Sequence, residues 1–363
     1  MDASRKLLNF VRFAQPRRNL VEIANRKFLP GSYSATFPKH LNEPRENFPV
    51  VVSAKDVGAT DSATASECAQ LCKDNFQDTL NKYGAILFRG FPINGHQDFS
   101  DFFNGLGKFN SMEYIGGAAP RIQVGKDTYT ASDEPPEITI EGHNEMAYMH
   151  TWPDVLLFYC DKPAGPGCGG ETVMIANRDI LRDLDAEMVG KFAKLGIYYN
   201  YHWADASLKK YKAWQQVFMT EDRSDVEKYL EGIGAEYKWE EDGSLVFGYR
   251  RPAMINCPHT AELLWFNHAT RKHASAWKYN HPFWAEFTDL PYHKFPTHSY
   301  FGDKSDIPEE YVQHIREVTW NVAVGFQLQQ GDVIAVENHL VQHSRLSFTG
   351  ERKLLAALLQ HPK

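Results

Sequence analysis

His143 and Glu145 stand two apart in "EGHNEMAY", and His343 follows about two hundred residues later in "ENHLVQHSR". Two imidazoles and one carboxylate on one side of an octahedral ion leave three adjacent positions open, the geometry associated with non-haem Fe(II) oxygenases. Such an ion can hold a bidentate co-substrate and dioxygen together. If His143 and Glu145 share a strand, residues i and i+2 point to one face and both side chains converge there. Arg352, nine residues beyond His343, completes the spacing that carries the information.

Each residue alone has an ordinary reading. A His-x-Glu pair arises often by chance in a chain with 15 histidines, and a single arginine is usually an exposed basic residue. His150, His202, His259, His268, His273 and His298 show no partner pattern, so surface or satisfied core positions are expected for them. Order and spacing together single out His143, Glu145, His343 and Arg352.

These residues need a frame to position them. Ala, Leu and Phe at helical spacing predict a helix over 64–82, and "YGAILFRGF" predicts a short buried strand after it. A second helix is expected from Gln97 until Gly105 and Gly107 stop it. "IGGAAPR" and "SDEPPE" read as long loops over a site. Strands are predicted for "DVLLFYC", "ETVMIAN", "GDVIAVEN" and "KLLAALLQ", with "HLVQHSRLSFTGER" as a loop between the last two. The middle, about 178–320, reads as a helical insertion. Strands at both ends with helices between them suggest a barrel whose two halves meet.

The 363 residues are 43% hydrophobic and 13% aromatic, enough for a large core and little disorder. One domain over 46–363 is expected, preceded by an extension over 1–45. That extension is basic at its start: Arg5, Lys6, Arg12, Arg17, Arg18, Arg26 and Lys27 face only Asp2 and Glu22. The net charge of the whole chain, −7, and the lack of a basic tract elsewhere argue against nucleic-acid binding. No apolar run approaches the roughly 20 residues of a membrane span. A cytoplasmic protein with a small-molecule substrate is expected, an organelle transit segment being the alternative for the basic start. Nothing here indicates an oligomeric state. Cys68, Cys72, Cys160, Cys168 and Cys257 form no Cys-x-x-Cys pair and read as reduced thiols.

The segments "YGAILFRGF", "GGAAPR", "EGHNEMAY", "LLFYC", "GGETVMI", "LWFN" and "GDVIAVENHLVQHSRLSFTGERKLLAAL" resemble the Fe(II)/2-oxoglutarate-dependent dioxygenases of the taurine dioxygenase type, and within them the clavaminate synthase-like proteins. The resemblance runs over about 83–358. It implies an α+β fold: a double-stranded β-helix, or jelly roll, with flanking helices and a long insertion between the ligand strands. It implies Fe(2+) held by His143, Glu145 and His343, with 2-oxoglutarate and O2 as co-substrates. Arg352 matches the arginine that pairs with the far carboxylate of 2-oxoglutarate, and Thr172 the threonine that assists it. Tyr114, Arg121, Trp265, Asn267 and Arg345 are the substrate-pocket candidates, with Arg121 and Arg345 able to hold an anionic group.

Two departures from the family pattern are Asn144, where relatives carry His or Thr, and Glu337, where Asp is frequent. Radical halogenases of this superfamily vacate the carboxylate position, so a retained Glu145 argues against halogenation. Hydroxylation, desaturation and oxidative cyclisation all stay open. Kainoid ring closure, as in a kainic acid synthase, is one example, and no motif separates it from its relatives. A non-redox cupin-type metal-binding protein or isomerase is the alternative, although it would not need Arg352 and Thr172.

Overall fold

The structure is a computed structural model that describes residues 20–22, 40–112, 122–132, 134–136, 138–210, 213–280 and 290–362. Most of the basic start, and with it any transit segment, lies outside the described residues, as do Tyr114 and Arg121.

Two sheets face each other. One runs in the order Leu20–Glu22, His40–Asn42, Val324–Phe326, Thr172–Ala176, Val341–Arg345, Ile140–His143. The other runs Val50–Ser53, Ala85–Arg89, Val333–Glu337, Val155–Lys162, Lys353–Gln360, Thr128–Thr130, Gln123–Gly125, with Asn110–Ser111 paired to Lys353–Gln360. Alternation explains why the second sheet's strands read as solid apolar runs. Leu156, Phe158 and Cys160 face inward with Ile334, Val336, Leu354 and Ala356, toward Val173 and Ile175 of the first sheet. Val155, Leu157 and Tyr159 face outward with Val333, Ala335, Leu355 and Ala357, under the helices Ala65–Tyr83 and His96–Leu106. A sheet covered on both faces has no polar side to display. Each fully buried Leu, Ile, Val or Phe contributes about 1.5–3 kcal/mol of transfer free energy, so these two layers dominate the core.

The first helix begins where the sequence signals it. Thr64 accepts from the Glu67 N–H while Glu67 reaches back to the Thr64 N–H, a reciprocal cap that satisfies two otherwise orphaned donors. The α+β class expected from the sequence is the one these elements form.

Two expectations are corrected. The middle is not helical alone: beside the helices Asn177–Asp183, Ala186–Leu195, Arg223–Gly232 and Glu309–Val322, the strands Ile197–Trp203, Glu236–Trp239, Leu245–Arg251 and Thr297–Phe301 form a four-stranded antiparallel sheet, and Met254–Asn256 pairs with Leu263–Trp265. "IYYNYHW" is buried nearly throughout, so its aromatic residues show no polar alternation that would mark a strand. The segment expected as a loop after Glu337 contains the strand Val341–Arg345, all of it buried. Its composition misleads because Gln342, His343, Ser344 and Arg345 are polar residues that line or brace a site. Part of the 1–45 extension adds strands to the first sheet. Leu20–Glu22 pairs with His40–Asn42, which joins Val324–Phe326, and Asn42 Nδ2 donates to the carbonyls of Asn321 (2.9 Å) and Ala323 (2.8 Å).

Candidate active site

His143 ends the strand Ile140–His143 and lies directly opposite His343 on the adjacent antiparallel strand Val341–Arg345. The ring centroids are 4.3 Å apart. Gly142 permits this placement, since a Cβ there would come 2.5 Å from Ile175 Cδ1. Glu145 arrives by another route than the shared strand face expected from sequence: the strand stops at His143, and Glu145 sits in the turn that follows. Asn338 holds it there. Asn338 Oδ1 accepts from the Glu145 N–H (2.7 Å), and Asn338 Nδ2 donates to the carbonyls of Glu145 (3.0 Å) and Pro153 (2.8 Å). Asn144 Nδ2 donates in turn to the carbonyls of Asn338 and Val341. The departure at Asn144 is therefore a buried brace for the turn.

The outcome is a compact donor set. One ligand atom from each of His143, Glu145 and His343 lies within 4.8 Å of the others, and Glu145 Oε2 is 3.6 Å from His343 Nε2. All three residues are buried, Glu145 at 4% exposure. His143 Nδ1 donates to the Glu141 carbonyl at 2.9 Å, which leaves Nε2 as the free electron pair, the tautomer a metal needs. Burial holds the His143 pKa well below its usual range, assisted by the charges of Arg271, His343 and His268, so the ring is neutral. Two imidazoles and a carboxylate in a buried recess fit a divalent iron. The other departure, Glu337, is fully buried and accepts from His339 Nδ1 at 2.6 Å, and His339 Nε2 accepts from Trp152 Nε1.

Thr172, Arg352 and the triad line one cavity of about 730 Å³, part of it open to solvent. Arg352 Nε donates to the Gly170 carbonyl (3.1 Å) and Nη2 lies 3.4 Å from Thr172 Oγ1. Gly170 has φ +72, and a Cβ there would sit 2.8 Å from Arg352 Cδ, so glycine answers both the turn and the close approach. Burial pushes the Arg352 pKa down to about 10, the signature of a guanidinium desolvated more than it is compensated. It stays charged, and an anion would relieve the penalty.

Of the remaining candidates, Arg345 lines the cavity, but its guanidinium braces the wall. Nη1 donates to the Glu134 carbonyl (3.1 Å), and Nη2 to those of Pro135 (2.7 Å) and Ile138 (2.8 Å), pinning the "SDEPPE" loop over the site. Trp265 is in the core, 5.2 Å from the Phe192 ring and outside the cavity lining. Asn267 is likewise outside it: Nδ2 donates to the Ala253 carbonyl (2.7 Å), and Oδ1 accepts from the Ala269 N–H (2.9 Å) where the helix Ala269–Lys272 begins.

Sequence reasoning missed the opposite wall. His268, Arg271, Lys272 and Tyr148 line the cavity. His268 Nε2 donates to the Asn144 carbonyl (2.7 Å), and its ring is 5.5 Å from that of His143. Arg316, also missed, ties the walls together. Its Nε lies 2.9 Å from Glu141 Oε1, Nη1 donates to Ser275 Oγ (2.8 Å), and Nη2 to the Thr270 carbonyl (3.1 Å). The adjacent pair in "NHATRKHA" was visible but indistinguishable from a solvated basic turn.

The family model for taurine catabolism dioxygenases, TauD/TfdA, matches residues 49–358. The chain belongs to that family. It is an Fe(II)- and 2-oxoglutarate-dependent dioxygenase. A clavaminate synthase-like protein of Arabidopsis thaliana is 29% identical over 333 residues, 88% of this chain and 96% of the relative. The dapdiamide synthesis protein DdaC of Enterobacter agglomerans is 32% identical over 287 residues, 78% of this chain and 84% of the relative. The crystal structure of PvcB from Pseudomonas aeruginosa aligns with a TM-score of 0.48 at 12% identity, over 86% of this chain and 85% of that one. In this dioxygenase the cofactor set is Fe(2+), 2-oxoglutarate and O2. Among the described residues, no helix is long and apolar enough to cross a membrane.

Proposed function

We propose that this dioxygenase oxidises an unactivated C–H bond of a small, anionic or amino-acid-like substrate by hydroxylation, desaturation or oxidative cyclisation, kainoid ring closure being one such outcome. The observation that carries the reading is the shared cavity: a buried two-histidine, one-carboxylate face with Arg352 and Thr172 on the same lining. A non-redox metal protein would have no use for that second pair. The likeness to a protein named for dapdiamide synthesis supports a small biosynthetic substrate. In this reading residues 46–363 are one catalytic domain, and its two facing sheets are the double-stranded β-helix.

Iron, 2-oxoglutarate and oxygen together supply the oxidising power, coupling loss of CO2 from the co-substrate to oxidation of the substrate's C–H bond. The protein's share is placement. His143, Glu145 and His343 would hold the metal, Asn338 fixes the Glu145 backbone, and the hydrogen bond from His143 Nδ1 to the Glu141 carbonyl fixes the ring. Arg352, with Thr172 beside it, would grip the far carboxylate of 2-oxoglutarate. Phe158, its ring centroid 5.0 Å from that of His343, helps to keep water from the metal face.

Anaerobic titration of iron and 2-oxoglutarate, followed by metal-to-ligand charge-transfer absorption, tests the assignment. Succinate release across a panel of small acids and amino acids then identifies the substrate. Wild-type turnover by Glu145→Gly would remove Glu145 from the ligand set.

A further inference from the structure

A second set of metal-donor side chains meets away from the cavity of His143 and His343. A carboxylate oxygen of Glu337 and a ring nitrogen from each of His259 and His361 all lie within 4.8 Å of one another, and none of these residues lines that cavity. They come from three elements. Glu337 ends the strand Val333–Glu337, His259 sits in the turn between Met254–Asn256 and Leu263–Trp265, and His361 follows the last strand, Lys353–Gln360. Each is placed by its own backbone. The Glu337 N–H donates to the Gly84 carbonyl (2.8 Å), the His361 N–H to Asp154 Oδ2 (2.9 Å), and the His259 turn is closed by the Cys257 N–H to the Glu262 carbonyl (2.8 Å).

Glu337 carries the argument. It is 0% exposed, its Oε1 accepts from His339 Nδ1 at 2.6 Å, and its Oε2 has no hydrogen-bond partner among the described residues. His339 brings no charge to it: Nε2 accepts from Trp152 Nε1, so the ring's one proton sits on Nδ1. A carboxylate taken out of water with one oxygen unmet is costly unless a cation stands beside it. His361 Nε2 is also buried without a partner, and its ring lies 5.6 Å from that of His259. We propose that Glu337, His259 and His361 bind a second divalent cation, best matched by zinc, which clasps the C-terminal tail and the hairpin turn to the strand end. Zinc takes imidazole nitrogen and carboxylate oxygen at about 2.0–2.2 Å and imposes no geometry of its own, so small side-chain shifts close the set around it. Water completes the shell on the side of the exposed His259. The strand end so held runs directly into Asn338, whose amide fixes the Glu145 turn, and the clasp therefore braces the backbone on which the first site depends. This site stands on its own residues and does not rest on the oxygenase reading.

Equilibrium dialysis of the metal-free enzyme against Zn(II), with bound metal counted by elemental analysis, tests the clasp. Wild type should hold one equivalent more than His259→Ala or His361→Ala, at a micromolar or lower dissociation constant that either substitution weakens at least tenfold. His143→Ala should keep that same equivalent, and adding His259→Ala to it should remove it. Zinc should raise the melting temperature of His143→Ala by at least about 2 °C, a shift that the added His259→Ala abolishes. Iron content and the 2-oxoglutarate midpoint of His259→Ala should match wild type. Because His259 is exposed, its removal spares the fold. Equal zinc in wild type, His259→Ala and His361→Ala would overturn the clasp, as would a melting shift that survives the loss of His259.

Discussion

The wall that carries His143 and His343 is a pair of hydrogen-bonded strands inside the main sandwich, whereas the wall that carries Arg271 and Lys272 is one short helix in the middle segment. The first wall is over-determined. Strand register sets the histidines opposite each other, and side-chain amides lock the turn that delivers Glu145. The second hangs on fewer ties: the Asn267 bond from the Ala269 N–H, the His268 bond to the Asn144 carbonyl, and Arg316 reaching from the helix Glu309–Val322. The side chains proposed to hold the metal sit on the ladder, and the cations Arg271 and Lys272 sit on an element that can vary without disturbing it.

Removing a ligand gives the largest contrast. His143→Ala or His343→Ala should abolish iron binding and turnover, since two remaining ligands hold Fe(II) poorly, yet thermal unfolding should stay cooperative. Stoichiometric iron with full activity in either variant would refute the ligand assignment.

Arg316→Ala attacks the tie between the walls. Breaking a buried pair by removing one partner costs about 3–5 kcal/mol. Chemical denaturation should show a loss of that order, and a change within error would mean that the walls are joined by other contacts.

The middle segment should also be acid-sensitive. Burial pushes the His298 pKa down to about 3 and that of the neighbouring His273 to about 2, against an ordinary value of 6.5. The unfolded chain takes up these protons first. The stability of the neutral rings is thus complete above pH 6.5 and drains away as pH falls from there toward 3. His298→Asn, which keeps an acceptor for the Ala274 N–H, should flatten the fall of the melting temperature below pH 6. An identical pH slope in the variant would rule His298 out as its source.

Arg352→Gln should weaken 2-oxoglutarate at least about tenfold with iron affinity little changed, because a charge-assisted contact worth about 1.5–3 kcal/mol is lost. An unmoved titration midpoint would return Arg352 to a structural role. Smallest of all, Asn267→Ala should cost about 1 kcal/mol by removing buried hydrogen bonds to the Ala253 carbonyl and the Ala269 N–H, with the 2-oxoglutarate midpoint unaffected. A shifted midpoint would restore Asn267 to the site from which the structure removes it.

That His143, Glu145, His343, Arg352 and Thr172 belong together was legible before any coordinates, because few side chain types suit iron or a carboxylate and their order along the chain is itself a signature; the structure places all five on one cavity lining. The apolar strands around them were legible too, since a sheet covered on both faces writes itself as an unbroken apolar run. Arg345 could be found but not assigned: a guanidinium aimed at an anion and one aimed at three loop carbonyls are the same letter. Trp265 and Asn267 lie outside the cavity lining, one in the core beside Phe192 and the other bonded to the Ala253 carbonyl and the Ala269 N–H. What the sequence determined by itself is the reaction class and the residues proposed as metal ligands. Only the tertiary structure decided how Glu145 reaches the cavity shared with His143 and His343, through Asn338 about two hundred residues away, and which cations line that cavity. A helix as short as Ala269–Lys272 carries no period that fixes its orientation; contacts with Asn144 and Arg316, both remote in the chain, set the direction in which Arg271 and Lys272 point.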